Sequence, residues 1–386
     1  MSRLYQMRKF VVPETVFGDG AAYLAGRYAK NLGAARPMLV SDQGLVSAGW
    51  TSAVVTACEA EGLEPVLFTE VSPNPRSTEV RLGVEAFEDG ACDAIVAVGG
   101  GSPMDAAKGI VASVANGVDV LAFEGVDKVR LPGPPLVCVA STAGTGSEVS
   151  RFAIVNDVDR QVKIAIVSPK MVPDAALVDP RLLSTVPTAL AAATGMDALT
   201  HAFEAYVSTA SSALTDIDAR HAVRLIAANL AKLIADPLDD DARGAMALAS
   251  MLAGRAFSNA GLGVVHAMAH ALGGLLDAPH GLCNALLLDA GIEVNFEVAG
   301  DRYADLALDL GASPGDIASG GVKARLLELV RGLRARVGIA AGLSGIGVSR
   351  ADLSRLAGFA SMDACLATNP VSLSADDIER IYERAL

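Results

Sequence analysis

Residues 94–105 run Ala94-Ile95-Val96-Ala97-Val98-Gly99-Gly100-Gly101-Ser102-Pro103-Met104-Asp105. The first five are apolar and do not alternate with polar residues, as expected of a strand covered on both faces of a parallel sheet. Three glycines follow at once. Pro103 then stands in the first turn of an Ala-rich helical stretch, where its missing N–H costs nothing. Strand, tight loop and helix make the repeating unit of an α/β sheet. The loop suits phosphate, because glycine lets the backbone come close and the N–H groups and dipole of a helix N-terminus attract an anion. It is neither a Gly-x-Gly-x-x-Gly fingerprint nor a Walker loop ending in Gly-Lys-Ser/Thr. A tight strand-to-helix turn without a ligand is the competing explanation.

On either side the same unit recurs. Upstream, 37–41 and 64–69 suit strands, while 46–61 and 77–89 suit helices; downstream, 103–116 is helical and 136–140 a further strand. That last strand runs into Ser141-Thr142-Ala143-Gly144-Thr145-Gly146-Ser147-Glu148, a loop rich in hydroxyls and backbone donors. Loops at neighbouring strand ends of an open α/β sheet share one crevice. Asp42 lies just past the first strand of the series, where a carboxylate can bind a ribose diol and repel the extra phosphate of NADP. A helix N-cap explains Asp42 equally well. Asn74, in Ser72-Pro73-Asn74-Pro75, sits on a rigid turn that could reach the crevice or serve the turn alone. Segments 151–156 and 162–167 read as antiparallel strands around Asp157-Val158-Asp159-Arg160. Between 179 and 187 β-branched runs nearly vanish and helical patterns take over. The expected organisation is therefore an α/β domain over 1–185 and an all-helical domain over 186–386.

The helical half carries the chemistry. Asp197 and His201 are four apart in an Ala/Leu-rich segment, so both project from one helical face. His266 and His270 repeat the spacing in 264–276, and His280 opens the next element after Pro279. Any one of these could be an ordinary packed or hydrogen-bonded side chain. Yet three of the chain's five histidines fall in one short, otherwise apolar stretch, and buried imidazoles need partners. Asp197, His201, His266 and His280 together read most simply as a metal site. One carboxylate and three imidazoles suit Fe²⁺ or Zn²⁺ better than Mg²⁺ or Ca²⁺.

Composition narrows the partners. A net charge of −13 disfavours nucleic acid and anionic membranes. No stretch reads as a transmembrane helix, and residues 1–10 have charges but no apolar signal core, so a cytoplasmic location is expected. The five cysteines are scattered and include no Cys-x-x-Cys pair, which argues against a disulfide framework and a thiolate zinc site.

Six segments, in order, resemble the iron-dependent (group III) alcohol dehydrogenases: Ser72-Pro73-Asn74-Pro75; Gly99 to Ser102 with Asp105 and Lys108; Ser141 to Glu148; Ala193-Thr194-Gly195-Met196-Asp197-Ala198-Leu199-Thr200-His201; Val265 to His270; and Pro279-His280-Gly281. The likeness covers nearly the whole chain. It implies the dehydroquinate synthase-like fold of that family: an α/β dinucleotide-binding domain, an all-α metal-binding domain, and a cation in the cleft between them. By motif position the resemblance makes Asp197, His201, His266 and His280 the metal ligands. It makes Asp42, Asn74, Gly99, Gly100, Gly101, Ser102, Thr142 and Thr145 the nucleotide contacts, with Lys163 near the cofactor's ribose. His270 matches a histidine beside the metal that is not a ligand and is expected to relay a proton or orient substrate. One departure is Ala140-Ser141-Thr142 where many members have Pro-Thr-Thr; Ser141 keeps a hydroxyl.

The expected reaction is reversible oxidation of a short-chain alcohol or diol with NAD(H), with Fe²⁺ or Zn²⁺ as Lewis acid. A dimer or larger homo-oligomer is expected from apolar helices left exposed. Glycerol dehydrogenase and dehydroquinate synthase relatives are the nearest alternatives. The synthase would need several basic residues for a phosphorylated, carboxylated substrate, and the metal motifs are flanked mainly by Ala, Gly, Leu and Met. A non-catalytic regulatory protein on this fold is the third class.

Overall fold

The structure, a computed structural model, describes residues 7–318, 320–340 and 342–386. It divides into two compact units, one spanning Val11–Val186 and the other containing Pro187–Leu386. The described residues before Val11 group with the helices, whereas the sequence assigned them to the α/β domain. Arg8 is one tie, its guanidinium donating to the Thr209 carbonyl at 3.5 Å.

The first unit contains β1 (Glu14–Phe17), β2 (Pro37–Val40), β3 (Val66–Phe68), β4 (Ala94–Gly99), β5 (Gly125–Val126), β6 (Leu136–Ala140), β7 (Phe152–Asp157), β8 (Val162–Val167) and β9 (Ala175–Val178). Its helices are α1 (Ala25–Asn31), α2 (Gln43–Ser47), α3 (Trp50–Ala60), α4 (Ser77–Asp89) and α5 (Gly101–Asn116). Six strands form one sheet in the order β1-β9-β6-β4-β2-β3, every pair parallel. All six residues of β4 are buried, which accounts for the unbroken apolar run. Leu39, Val96, Val98, Val139 and Leu177 pack with Ala25, Ala29, Val54 and Cys58. Strand order reverses between β2, which leads to β3 on one side, and β4 on the other. At such a switch point ligands bind beyond the carboxyl ends of the strands. Gly99 ends β4 there, and Asp42 lies just beyond β2.

Two departures from expectation have local causes. The helix expected over 46–61 is two, α2 and α3, because Gly49 takes a left-handed conformation (φ 82°) between them. Strands β1 and β9 are only four residues each and too short to carry a period. The expected antiparallel pair is β7 with β8, in register from Phe152↔Val167 to Asp157↔Val162, and with β5 it makes a second, three-stranded sheet.

The second unit contains α6 (Thr188–Val207), α7 (Ala213–Ala235), α8 (Asp240–Ala260), α9 (Val264–Leu276), α10 (His280–Asp309), α11 (Pro314–Ala318), α12 (Val322–Arg336), α13 (Leu353–Ala360) and α14 (Ala375–Ala385). Helix α6 forms its centre, buried continuously from Ala192 to Val207. Among the described residues, no helix is long and apolar enough to cross a membrane.

Candidate metal centre and nucleotide loops

Three helices of the second unit meet at one point. Helix α6 presents Asp197 and His201 one turn apart, α9 presents His266 in its first turn, and α10 opens with His280 behind Pro279. Asp197 Oδ1 lies 4.0 Å from His201 Nε2 and 3.8 Å from both His266 Nε2 and His280 Nε2. The four donor atoms all fall within 4.8 Å of one another. A regular tetrahedron with edges equal to the 3.8–4.0 Å separations from Asp197 has its centre about 2.4 Å from each corner, within a few tenths of the ~2.0–2.2 Å bonds that N and O donors make to a first-row cation. Burial supports the same conclusion. The Asp197, His201 and His266 side chains are 1%, 4% and 1% exposed, while His280 at 24% is the member nearest solvent. A carboxylate buried among imidazole rings calls for a compensating positive charge, and a divalent cation fits. Gly281 permits the close approach of α10 to α6: a Cβ there would come within 2.6 Å of the Ala193 carbonyl oxygen and 3.3 Å of Asp197 Cβ.

Residues around the four donors hold them in place. Glu204, on α6, lies with Oε2 2.6 Å from His266 Nδ1. Burial pushes the Glu204 carboxyl up to about 7, against hydrogen bonds from the backbones of Val265 and Gly263 and from His266. Burial, with His270 adding repulsion, holds His266 well below its ordinary range. The ring is therefore neutral, and with Nδ1–H directed at Glu204 its Nε2 lone pair faces the donor cluster. His201 stacks between Phe257 and His266, with centroids 4.3 and 4.5 Å away. The Asn284 amide donates to Asp197 Oδ1 at 2.6 Å and sits 3.1 and 3.2 Å from His266 Nε2 and His280 Nε2. His270, one turn beyond His266, stacks on His280 at 5.3 Å and its Nδ1 lies 2.8 Å from Asp363 Oδ2. It stands beside the four donors rather than among them.

In the first unit the glycine loop leads into α5, whose N-terminus no side chain caps, an arrangement that suits an anion. The second loop packs directly on it. A Cβ on Gly100 would touch Thr142 Cγ2 at 3.0 Å, and one on Gly101 would touch Thr145 Cγ2 at 3.0 Å. Ser102 Oγ accepts the Asn74 N–H at 3.2 Å, and Lys163 Nζ donates to Asn74 Oδ1 at 2.6 Å. Gly100, Gly101, Ser102, Asn74, Lys163, Thr142 and Thr145 are thus linked around one strand-end region. Asp42 lies just beyond β2, and its Oδ1 caps α2, accepting from Leu45 N at 3.0 Å, so the helix-cap explanation is the one the structure displays. Beneath the loops, the fully buried Lys108 ammonium donates to the carbonyls of Ser147 (2.7 Å), Ser150 (2.9 Å) and Phe152 (2.8 Å) and to two serine hydroxyls. Asp105 accepts from Ser147 Oγ and Ile154 N. These bonds fix the second loop to α5.

Both halves match one family. Residues 13–180 fit the family described as iron-containing alcohol dehydrogenase, and residues 191–386 fit its C-terminal counterpart, the Fe-containing alcohol dehydrogenase family. The chain belongs to the iron-containing alcohol dehydrogenases. It is 40% identical over 384 residues to 1,3-propanediol dehydrogenase of Citrobacter freundii, covering 99% of each chain. It is 37% identical over 377 residues to NAD-dependent methanol dehydrogenase of Bacillus methanolicus, covering 98% of this chain and 99% of that one. The crystal structure of a 1,3-propanediol oxidoreductase superposes with a TM-score of 0.95 at 38% identity, over 99% of this chain and 100% of the other. This alcohol dehydrogenase is an NAD(H)- and metal-dependent enzyme that interconverts alcohols and carbonyl compounds; the synthase and regulatory alternatives are not favoured.

Three residues of the dehydrogenase's metal region escape a sequence reading. Glu204 is three residues beyond His201 and Asn284 four beyond His280, so helical spacing from a ligand was the available signal. Asp363 is 93 residues from His270, and nothing local marks it.

Proposed function

We propose that this dehydrogenase interconverts a short-chain primary alcohol or diol with its aldehyde or ketone, using NAD(H) and a cation, Fe²⁺ first and Zn²⁺ second, held by Asp197, His201, His266 and His280. The observation that carries it is the cluster of four donor atoms within 4.8 Å of one another, three of them nearly fully buried. The short-chain assignment is supported by relatives named for propanediol and methanol, and by a lactaldehyde reductase of Escherichia coli at 35% identity over 98% of this chain.

When bound, the cation supplies Lewis acidity to the substrate oxygen and the nicotinamide accepts or returns hydride. The remaining tasks fall to side chains. Glu204 and Asn284 orient the ligands, and the apolar surroundings of α6, α8 and α9 exclude water. His270 takes the hydroxyl proton during oxidation and returns it during reduction. On the nucleotide side Gly99, Gly100, Gly101 and Ser102 receive the pyrophosphate at the α5 N-terminus. Thr142 and Thr145 donate beside it, Asn74 and Lys163 reach the nicotinamide-side ribose, and Asp42 takes the adenosine ribose diol.

A cytoplasmic location is supported by the five cysteines, all free, which suit a reducing compartment. A dimer or larger assembly is supported by Leu214, Ile217 and Leu238, which are 56%, 67% and 70% exposed. The test is to load the protein anaerobically with Fe²⁺ or Zn²⁺ and follow NADH formation on a panel of short alcohols and diols. Metal-dependent turnover that disappears together with the bound metal in His266→Ala is the expected result. Turnover unaffected by a chelator that has removed all metal would overturn the proposal.

A further inference from the structure

We infer that Asp363 is the positioning residue for His270, holding the imidazole as the Nδ1–H tautomer so that Nε2 is the atom that accepts a proton. The inference rests on the proposed role of His270 and adds the tautomer and the residue that sets it.

Asp363 sits at the start of the turn Ala364–Thr368 and caps it, Oδ1 accepting the Cys365 N–H at 2.8 Å. The other oxygen, Oδ2, is 2.8 Å from His270 Nδ1. The two side chains are 5% and 9% exposed, His270 and Asp363 respectively, so little water competes for either. Burial opposes ionisation of Asp363, but the His270 ring and the Cys365 N–H and thiol together bring its carboxyl down to about 2. An ionised carboxylate only accepts hydrogen bonds, so Nδ1 carries a hydrogen whenever Asp363 is charged, and in the neutral ring Nε2 is the nitrogen left to accept a proton. Stacking on the His280 ring, with planes 16° apart, fixes the remaining rotation. A histidine that must exchange a proton at one defined nitrogen thereby receives both its tautomer and its orientation from residues distant in sequence.

Asp363→Asn gives a sharp test because an amide has one acceptor where the carboxylate has two. The backbone N–H of Cys365 cannot become an acceptor, whereas the imidazole can exchange tautomers. The amide oxygen therefore stays on Cys365, and the NH₂ turns to Nδ1 and forces the Nε2–H form. ¹⁵N-histidine NMR of the Zn²⁺-loaded protein, with His270 assigned from the spectrum of His270→Ala, is expected to show Nδ1–H in the native enzyme and Nε2–H in Asp363→Asn. In the same variant kcat is expected to fall by about 10²-fold, while zinc content stays stoichiometric and KM for alcohol and NAD⁺ stays within about twofold. A native His270 in the Nε2–H form overturns the inference without any variant. An unchanged kcat in Asp363→Asn with the tautomer reversed overturns the link to catalysis. If His270→Ala itself keeps full kcat, it is the proton-relay reading of His270 that fails, while the NMR arm still decides what Asp363 does.

Discussion

Glu204 makes three contacts at once: its carboxyl accepts the backbone N–H groups of Val265 at 2.7 Å and Gly263 at 3.0 Å, and its Oε2 lies 2.6 Å from His266 Nδ1. A single carboxylate on α6 thus sets the ring of one metal ligand and satisfies N–H groups at the start of the helix that carries it. Glu204→Gln keeps the shape but must place an NH₂ against at least one of these donors. Cation affinity, measured by competition with a coloured chelator, is expected to fall about 10–100-fold. Affinity equal to that of the native protein would show that His266 orients itself.

Gly281 offers a second route to the same site without replacing a ligand. An added methyl would meet the Ala193 carbonyl at 2.6 Å, and two helix backbones give way poorly. Gly281→Ala is expected to cost about 1–3 kcal/mol in urea unfolding and to weaken cation binding, while NADH binding monitored by fluorescence is retained.

Asp42 caps α2, and one substitution separates that cap from the ribose contact proposed for it. Asp42→Asn keeps an acceptor for Leu45 N and removes the charge. The ratio of kcat/KM for NADPH to that for NADH is expected to rise at least about tenfold, one repulsion of about 1.4 kcal/mol, with little change in melting temperature. An unaltered ratio would leave Asp42 as a helix cap alone.

Glu148 makes the α/β unit sensitive to pH. It is 3% exposed, and burial pushes its carboxyl from 4.5 up to about 7, opposed by a backbone hydrogen bond and the Lys108 charge. A raised carboxyl binds its proton more tightly folded than unfolded. Its favourable contribution is therefore complete below about 4.5 and is lost as pH climbs to about 7. Glu148→Gln is expected to remove that slope, raising stability above pH 7 relative to the native chain by up to the order of 3 kcal/mol. Parallel stability curves for the two proteins from pH 5 to pH 8 would contradict it.

Much of this molecule was legible in its residues because the signals were local. Ala94–Gly99 is a buried strand because it is apolar throughout, and α5 starts where Pro103 follows the glycines. Asp197 with His201, and His266 with His270, disclosed themselves by helical spacing. What was hidden depends on folding. Gly49 divides a helix because of its backbone conformation, not its hydropathy. Strands β1 and β9 earn their place by pairing with one another, Glu14↔Ala175 to Phe17↔Val178, across most of the unit's length. Asp363 reaches His270 only after α13 and the following turn have packed, and no spacing rule spans that interval.

All four proposed ligands belong to the helical unit, so on that proposal the sheet supplies none of them. Iron supply then acts on the durability of that half in particular: a ligand that binds only the folded form adds about 2.7 kcal/mol when present at a hundred times its dissociation constant. With the cation held as proposed, iron shortage would withdraw that stabilisation from the helical unit, while the hydrogen bonds by which Lys108 ties the second loop to α5 would be untouched.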